Sequence, residues 1–179
     1  MHAPLPRPRS LAALLAVAVS LTLAPALAPP ASAAPRHPPA AAPKELGAFG
    51  AWIAATHGVG RAKLCYAFTR ANGQNAATGT GPVLSVTDRP TGRNQVAISA
   101  GPLYPKGAGA MVEVGQTALD FYTSGHDAFA RDGHAAVVAF ERGATAVLRP
   151  PGKGAHPLDF SLTGFSAAHA AIRKACPAR

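Results

Sequence analysis

Downstream of residue 46 the chain is dominated by short runs in which apolar and polar residues alternate with period two, the pattern of half-buried strands. Leu64 to Thr69 sets Leu64, Tyr66 and Phe68 against Cys65, Ala67 and Thr69. Pro82 to Thr87 and Gln95 to Ser99 are short strands carrying Val83, Val86, Val96 and Ile98, and between them Asp88 to Asn94 reads as a turn from its Pro90 and Gly92. Met111 to Val114 and Ala118 to Tyr122 flank Gly115-Gln116, a two-residue hairpin turn. Phe49 to Thr56 (with the single tryptophan, Trp52), Ala128 to Arg131, Ala144 to Leu148 and Leu158 to Leu162 complete the expected strands. Gly101 to Gly109 and Pro150 to Pro157 are irregular loops, the second carrying Lys153 and His156.

Two stretches depart from this period. The apolar run Ala135 to Phe140 fits a buried strand or a short helix, and Asp132 as a cap with Gly143 as a stop favours helix over 134–142. The second is the stretch from Asp159 to Cys176, which starts as a strand with Phe160 and Leu162 on its apolar face and breaks at Gly164. Ser166 is then the expected N-cap of a helix whose apolar side is Phe165, Ala168, Ile172 and Ala175. Arg173 and Lys174 suit its last turn, and Pro177 ends it. Many short strands, frequent turns and one terminal helix imply a mainly β fold, a β-sandwich. Trp52, Tyr66, Phe160 and Phe165 are the expected core aromatics. With Tyr66 and Phe68 pointing inward, Cys65 and Ala67 face the other way, and the C-terminal helix is expected to cover them on the outside of the sheet.

The N-terminus follows a different rule. Arg7 and Arg9, an apolar run from Leu11 to Leu23, and Ala31-Ser32-Ala33 form the three parts of a cleaved signal peptide over residues 1–33. The run is too short to span a bilayer, and no later stretch is long and apolar enough. Residues 34–45, rich in Pro and Ala, read as a disordered leader, and residues 46–179 as one domain. The expected location is the periplasm, with outer-membrane association or secretion as further destinations. In such an oxidising compartment two cysteines imply one disulfide, Cys65 to Cys176.

Charge and motifs narrow the chemistry. Removing Arg7 and Arg9 from 17 Lys+Arg leaves 15 against 8 Asp+Glu, a net charge of +7. The basic residues are scattered singly and form no nucleic-acid-binding motif, so an anionic envelope component is the better match than nucleic acid. There is no nucleophile elbow, zinc-protease helix, phosphate loop or dinucleotide fingerprint. Asp120, Asp127, Asp132 and Glu141 fall in one region and could supply a carboxylate pair for acid–base work, and His126, Asp127, Asp132 and His134 form the one cluster of metal-ligand types, at a spacing that matches no known site. No catalytic residue, metal or cofactor is expected.

The ordered set Phe49-Gly50-Ala51-Trp52, Cys65-Tyr66-Ala67, Val86-Thr87-Asp88-Arg89-Pro90, Asn94-Gln95-Val96 and Ser161 to Ala168, closing on Cys176, resembles the invasion-associated locus B family of exported alphaproteobacterial proteins. The resemblance covers nearly all of Leu46 to Cys176. It implies an immunoglobulin-like β-sandwich with a short internal helix and a C-terminal helix, located in the periplasm or at the outer membrane, and some members are linked to host-cell invasion. It brings no reaction or cofactor. Only Trp52 and the two cysteines carry over, as structural residues. Ala51 stands where members often carry an acidic residue. The expected function is therefore a non-enzymatic envelope or surface interaction protein whose partner is a protein, glycan or anionic lipid. The rivals are a hydrolase using the Asp120–His134 region and a carrier holding a small ligand between two sheets.

Overall fold

Among the described residues ten strands pair side by side in one sheet, which satisfies their backbone groups. The structure, a computed structural model, describes residues 42–73, 80–99 and 101–178. The expected signal peptide, and the expected leader up to residue 41, lie outside the described residues. The strands are β1 (Lys44–Phe49), β2 (Trp52–His57), β3 (Leu64–Arg70), β4 (Val83–Arg89), β5 (Gly92–Ser99), β6 (Gly109–Val114), β7 (Thr117–Ser124), β8 (Asp127–Ala130), β9 (Thr145–Arg149) and β10 (Leu158–Ser161). Helix α1 spans Gly133–Arg142 and α2 spans Phe165–Ala175. Every neighbouring pair is antiparallel, in the order β1-β2-β3-β4-β5-β8-β7-β6-β9-β10.

A twisted sheet this wide curls rather than staying open. Here the last strand returns to the third: Phe160 bridges Ala71, Asn72 N donates to Asp159 O, and Trp52 Nε1 donates to Ser161 O at 2.9 Å. The result is a mainly β, sandwich-like fold with two helices. Both helices contribute to the core inside the curl, α2 against β1 to β4 and α1 against β5 and β7. Among the described residues no helix is long and apolar enough to cross a membrane.

Local chemistry explains the element ends. The expected strand Phe49 to Thr56 is instead two strands, β1 and β2, joined by a tight turn at Gly50-Ala51, and β1 begins at Lys44, two residues before the expected domain start. Gly115, at φ 58°, makes the two-residue turn between β6 and β7. Helix α1 forms as its boundary residues dictate: the Asp132 carboxylate accepts from Ala135 N at 2.9 Å, and Gly143 ends the helix. Asp132→Ala is expected to cost about 1 kcal/mol, the usual loss of an N-cap, seen as a lower urea midpoint at unchanged slope.

Two expectations are corrected. The N-cap of α2 is Gly164, not Ser166. Gly164 sits at φ 89°, and a Cβ there would run into Phe49 O, so the backbone itself makes the sharp turn that only glycine accepts there. The second concerns the faces of β3. Cys65, Ala67 and Thr69 are buried, whereas Tyr66 and Phe68 lie half-buried on the outer face. The reason is volume. Helix α2 lies inside the curl and fills it with Phe165, Ala168 and Ile172, so the β3 positions facing it are small. Tyr66 is therefore not a core residue, and α2 covers Cys65 and Ala67 as expected, but on the inner face of the sheet rather than the outer one. Trp52, Phe160 and Phe165 are fully buried.

Candidate functional site

The C-terminal end of α2 is held from three directions. Cys65 and Cys176 are disulfide-bonded with Cα atoms 6.0 Å apart. Lys63 Nζ donates to Ala175 O and Arg93 Nη1 to Cys176 O, both at 2.7 Å, so two cations meet the negative end of the helix dipole. Arg93 is in turn held by Asp88, a fully buried carboxylate that accepts from Arg93 Nη2 at 2.7 Å and from Asn94 N at 2.8 Å. Burying that charge is tolerable because it is both paired and hydrogen-bonded. The segment read as a loose turn, Asp88 to Asn94, is thus a hairpin with an irregularity between Thr87 and Arg89 and a positive-φ Asn94. These groups form a structural clamp.

The group Asp120 to His134 is not brought together. His126 Nδ1 lies 3.1 Å from Gly101 O and its carbonyl accepts from Gly101 N, which ties the 101–109 loop to the turn between β7 and β8. Tyr104 of that loop is buried, and burial, with the Asp127 carboxylate adding to it, pushes its phenol above the ordinary range. Asp120 is exposed and lines a small surface depression with Arg131 and Arg149. Asp132 is spent on its cap. His134, on α1, lines the groove between the helices. Among the described residues no three His, Cys, Asp or Glu side chains gather as they would around a metal ion.

That interhelical groove holds one pairing the sequence does not reveal. His169 of α2 is buried, stacks parallel on Phe165 (5.5 Å between centroids), and its Nδ1 lies 3.0 Å from Glu141 Oε1 of α1. Its Nε2 is buried without a hydrogen-bond partner. The two residues are 28 positions apart on separate helices, so no local pattern signals them. Phe165 four residues before His169 shows only that the histidine shares the apolar side of its helix.

The outer face of the sheet is the largest feature that sequence reasoning misplaced. The register sets Ile53, Phe68, Ser85, Ala97, Phe129 and Tyr122 in one row across six strands. A second row runs Ala55, Tyr66, Thr87, Gln95. Tyr66 stacks on Phe68 (6.1 Å) and Tyr122 on Phe129 (5.2 Å), with Arg131 over the Tyr122 ring at 5.8 Å. Beside the second pair opens a groove of about 530 Å³ lined in part by Thr87, Arg89, Gln95, Ala97, Tyr122 and Phe129. Arg89 Nε donates to Gln95 Oε1 at 3.0 Å, which fixes the guanidinium at the rim. The arrangement offers flat apolar surfaces beside hydrogen-bonding and cationic groups.

No protein-family model and no curated protein matches the chain. Among solved structures it is similar to invasion associated protein B from Bartonella henselae, at 17% identity and a TM-score of 0.50. The likeness covers 72% of this chain and 97% of that one. At this identity it extends to the fold: the chain folds like invasion associated protein B.

Proposed function

We propose that this is an exported, non-enzymatic interaction module of the cell envelope, of the invasion-associated locus B kind, whose working surface is the outer, helix-free face of the sheet. The observation that carries the reading is the pair of ring stacks on that face, Tyr66/Phe68 and Tyr122/Phe129. Aromatic side chains left partly in water beside arginine are the residue types that anchor interfaces. The signal-peptide pattern of residues 1–33 supports export, and the Cys65–Cys176 bond suits an oxidising compartment. The separate settings of Asp120, His126, Asp127 and His134 favour binding over hydrolysis. The rings of Trp52, Phe140 and Phe165 fill the interior that a small-ligand carrier would need.

The test is affinity capture from envelope extracts with the mature protein beginning at Ala34, at low and at high salt. Wild type is expected to retain a partner at high salt, where diffuse attraction to a basic protein is screened. Tyr66→Ala combined with Tyr122→Ala is expected to lose it while remaining folded, with a cooperative melt only modestly below that of wild type. Retention that survives the double substitution would show that the working surface lies elsewhere.

A further inference from the structure

The ligand class follows from the shape and charge of that face, and the inference rests on the reading just given. We infer that the outer face binds an anionic polysaccharide, with carboxylate-bearing sugar rings packed against the exposed parts of the aromatic pairs and their charges met by Arg89 and Arg131.

Three observations carry it. The first is spacing. Phe68 on β3 and Phe129 on β8 share one register row and are separated by Ser85 on β4 and Ala97 on β5. Three strand spacings put the ring pairs about 14 Å apart. The side chains between them in that row, Ser85 and Ala97, are short. Two apolar ring pairs along one line suit a polymer of repeated rings better than a single small molecule.

The second is the mixture of groups. A pyranose ring has an apolar face of C–H groups and a polar edge of hydroxyls. It therefore needs a flat apolar surface with donors and acceptors beside it. Tyr122 and Phe129 supply the surface, and Thr87, Gln95 and Arg89 line the same groove. A dry protein hot spot would instead favour a floor without such polar side chains.

The third is charge complementarity. Arg89 is the one charged residue lining the groove, and Arg131 is held against the Tyr122 ring at its border. Asp120, the nearby carboxylate on β7, lies outside the groove and lines the neighbouring depression with Arg131 and Arg149. The mature chain, at a net charge of +7 once Arg7 and Arg9 are removed, attracts a polyanion.

The experiment uses the mature protein on immobilised polygalacturonate and alginate, both carboxylated, and on neutral dextran, in about 150 mM salt, where the screening length is about 8 Å. Retention is expected on both carboxylated polymers and not on dextran. Tyr122→Ala and Phe129→Ala are each expected to weaken it about tenfold, the effect of one interface anchor. Arg89→Ala is expected to weaken it by a similar factor. Tyr122 is 45% exposed, so its replacement is compatible with folding, and a melting curve for each variant confirms that. Absence of retention on both carboxylated polymers would overturn the inference. So would retention that neither ring substitution alters, which marks charge alone, or equal retention on dextran. Capture of an envelope protein through Tyr66 and Tyr122 without any glycan binding would overturn the ligand class and leave the interaction module standing. Loss of both would overturn both.

Discussion

Replacing Cys176 by Ser is expected to remove roughly 4–5 kcal/mol of stability, the chain-entropy value for a closed loop of this size. The bond joins residues 111 positions apart and so encloses most of the domain. Domains of this class are stable by only about 5–15 kcal/mol, so the loss is a large share of the total. It should lower the melting temperature by on the order of 10–20 °C. The folded state is expected to change less than that figure suggests. Lys63 still donates to Ala175 O, and Arg93, held by Asp88, still donates to Cys176 O, so the end of α2 stays docked without the bond. The effect thus falls mainly on the unfolded chain, whose freedom the bond restricts. Near-UV circular dichroism at room temperature should therefore stay close to wild type while the urea midpoint falls. Equal stability of oxidised and reduced wild-type protein would contradict this account.

The pattern of the chain discloses its elements better than their faces. Helix α1 was legible because Asp132 and Gly143 bracket an apolar run with groups that act locally. The β6–β7 hairpin was legible because Gly115 supplies the backbone conformation the turn requires. The facing of β3 was not, because alternation separates two sets of residues without saying which is inside. Size suggested Tyr66 and Phe68, yet the interior was already taken by Phe165 and Ile172 from a helix some hundred residues away, on the order of the whole domain's length. The same gap hid the Asp88–Arg93 clamp, since a carboxylate in a Pro- and Gly-rich segment reads as a solvated turn until a distant helix end is placed against it. It hid the Glu141–His169 pair for the same reason. The resemblance to invasion-associated locus B proteins gave the fold, and the likeness to the Bartonella henselae structure agrees with it at that level. The candidate binding face was legible in neither, because it depends on which rings the helix displaces outward.

Phe165→Ala is the core substitution expected to cost most, about 3–5 kcal/mol. Phe165 is fully buried at the start of α2, and three other rings meet it: Trp52 edge-on at 4.8 Å, Phe140 edge-on at 5.5 Å, and His169 in a parallel stack at 5.5 Å. Truncation removes the contacts of a whole ring and leaves a cavity that Trp52 cannot fill, because its Nε1 is held by Ser161 O. It also uncovers His169, whose Nε2 already lacks a hydrogen-bond partner. The neighbours are fixed to three different elements, β2, α1 and α2, so the site has little capacity to collapse. Trp52 is the only tryptophan, so its fluorescence reports this site directly. The variant should show a shifted native emission together with a lower urea midpoint. Phe165→Leu, which keeps most of the volume, should recover more than half of the loss. Tyr66→Ala is the control, a ring of similar size on the outer face, expected to cost well under the core value, about 1 kcal/mol or less. If Phe165→Ala proved no more costly than Tyr66→Ala, the assignment of the inner and outer faces of β3, and with it the candidate binding surface, would have to be reversed.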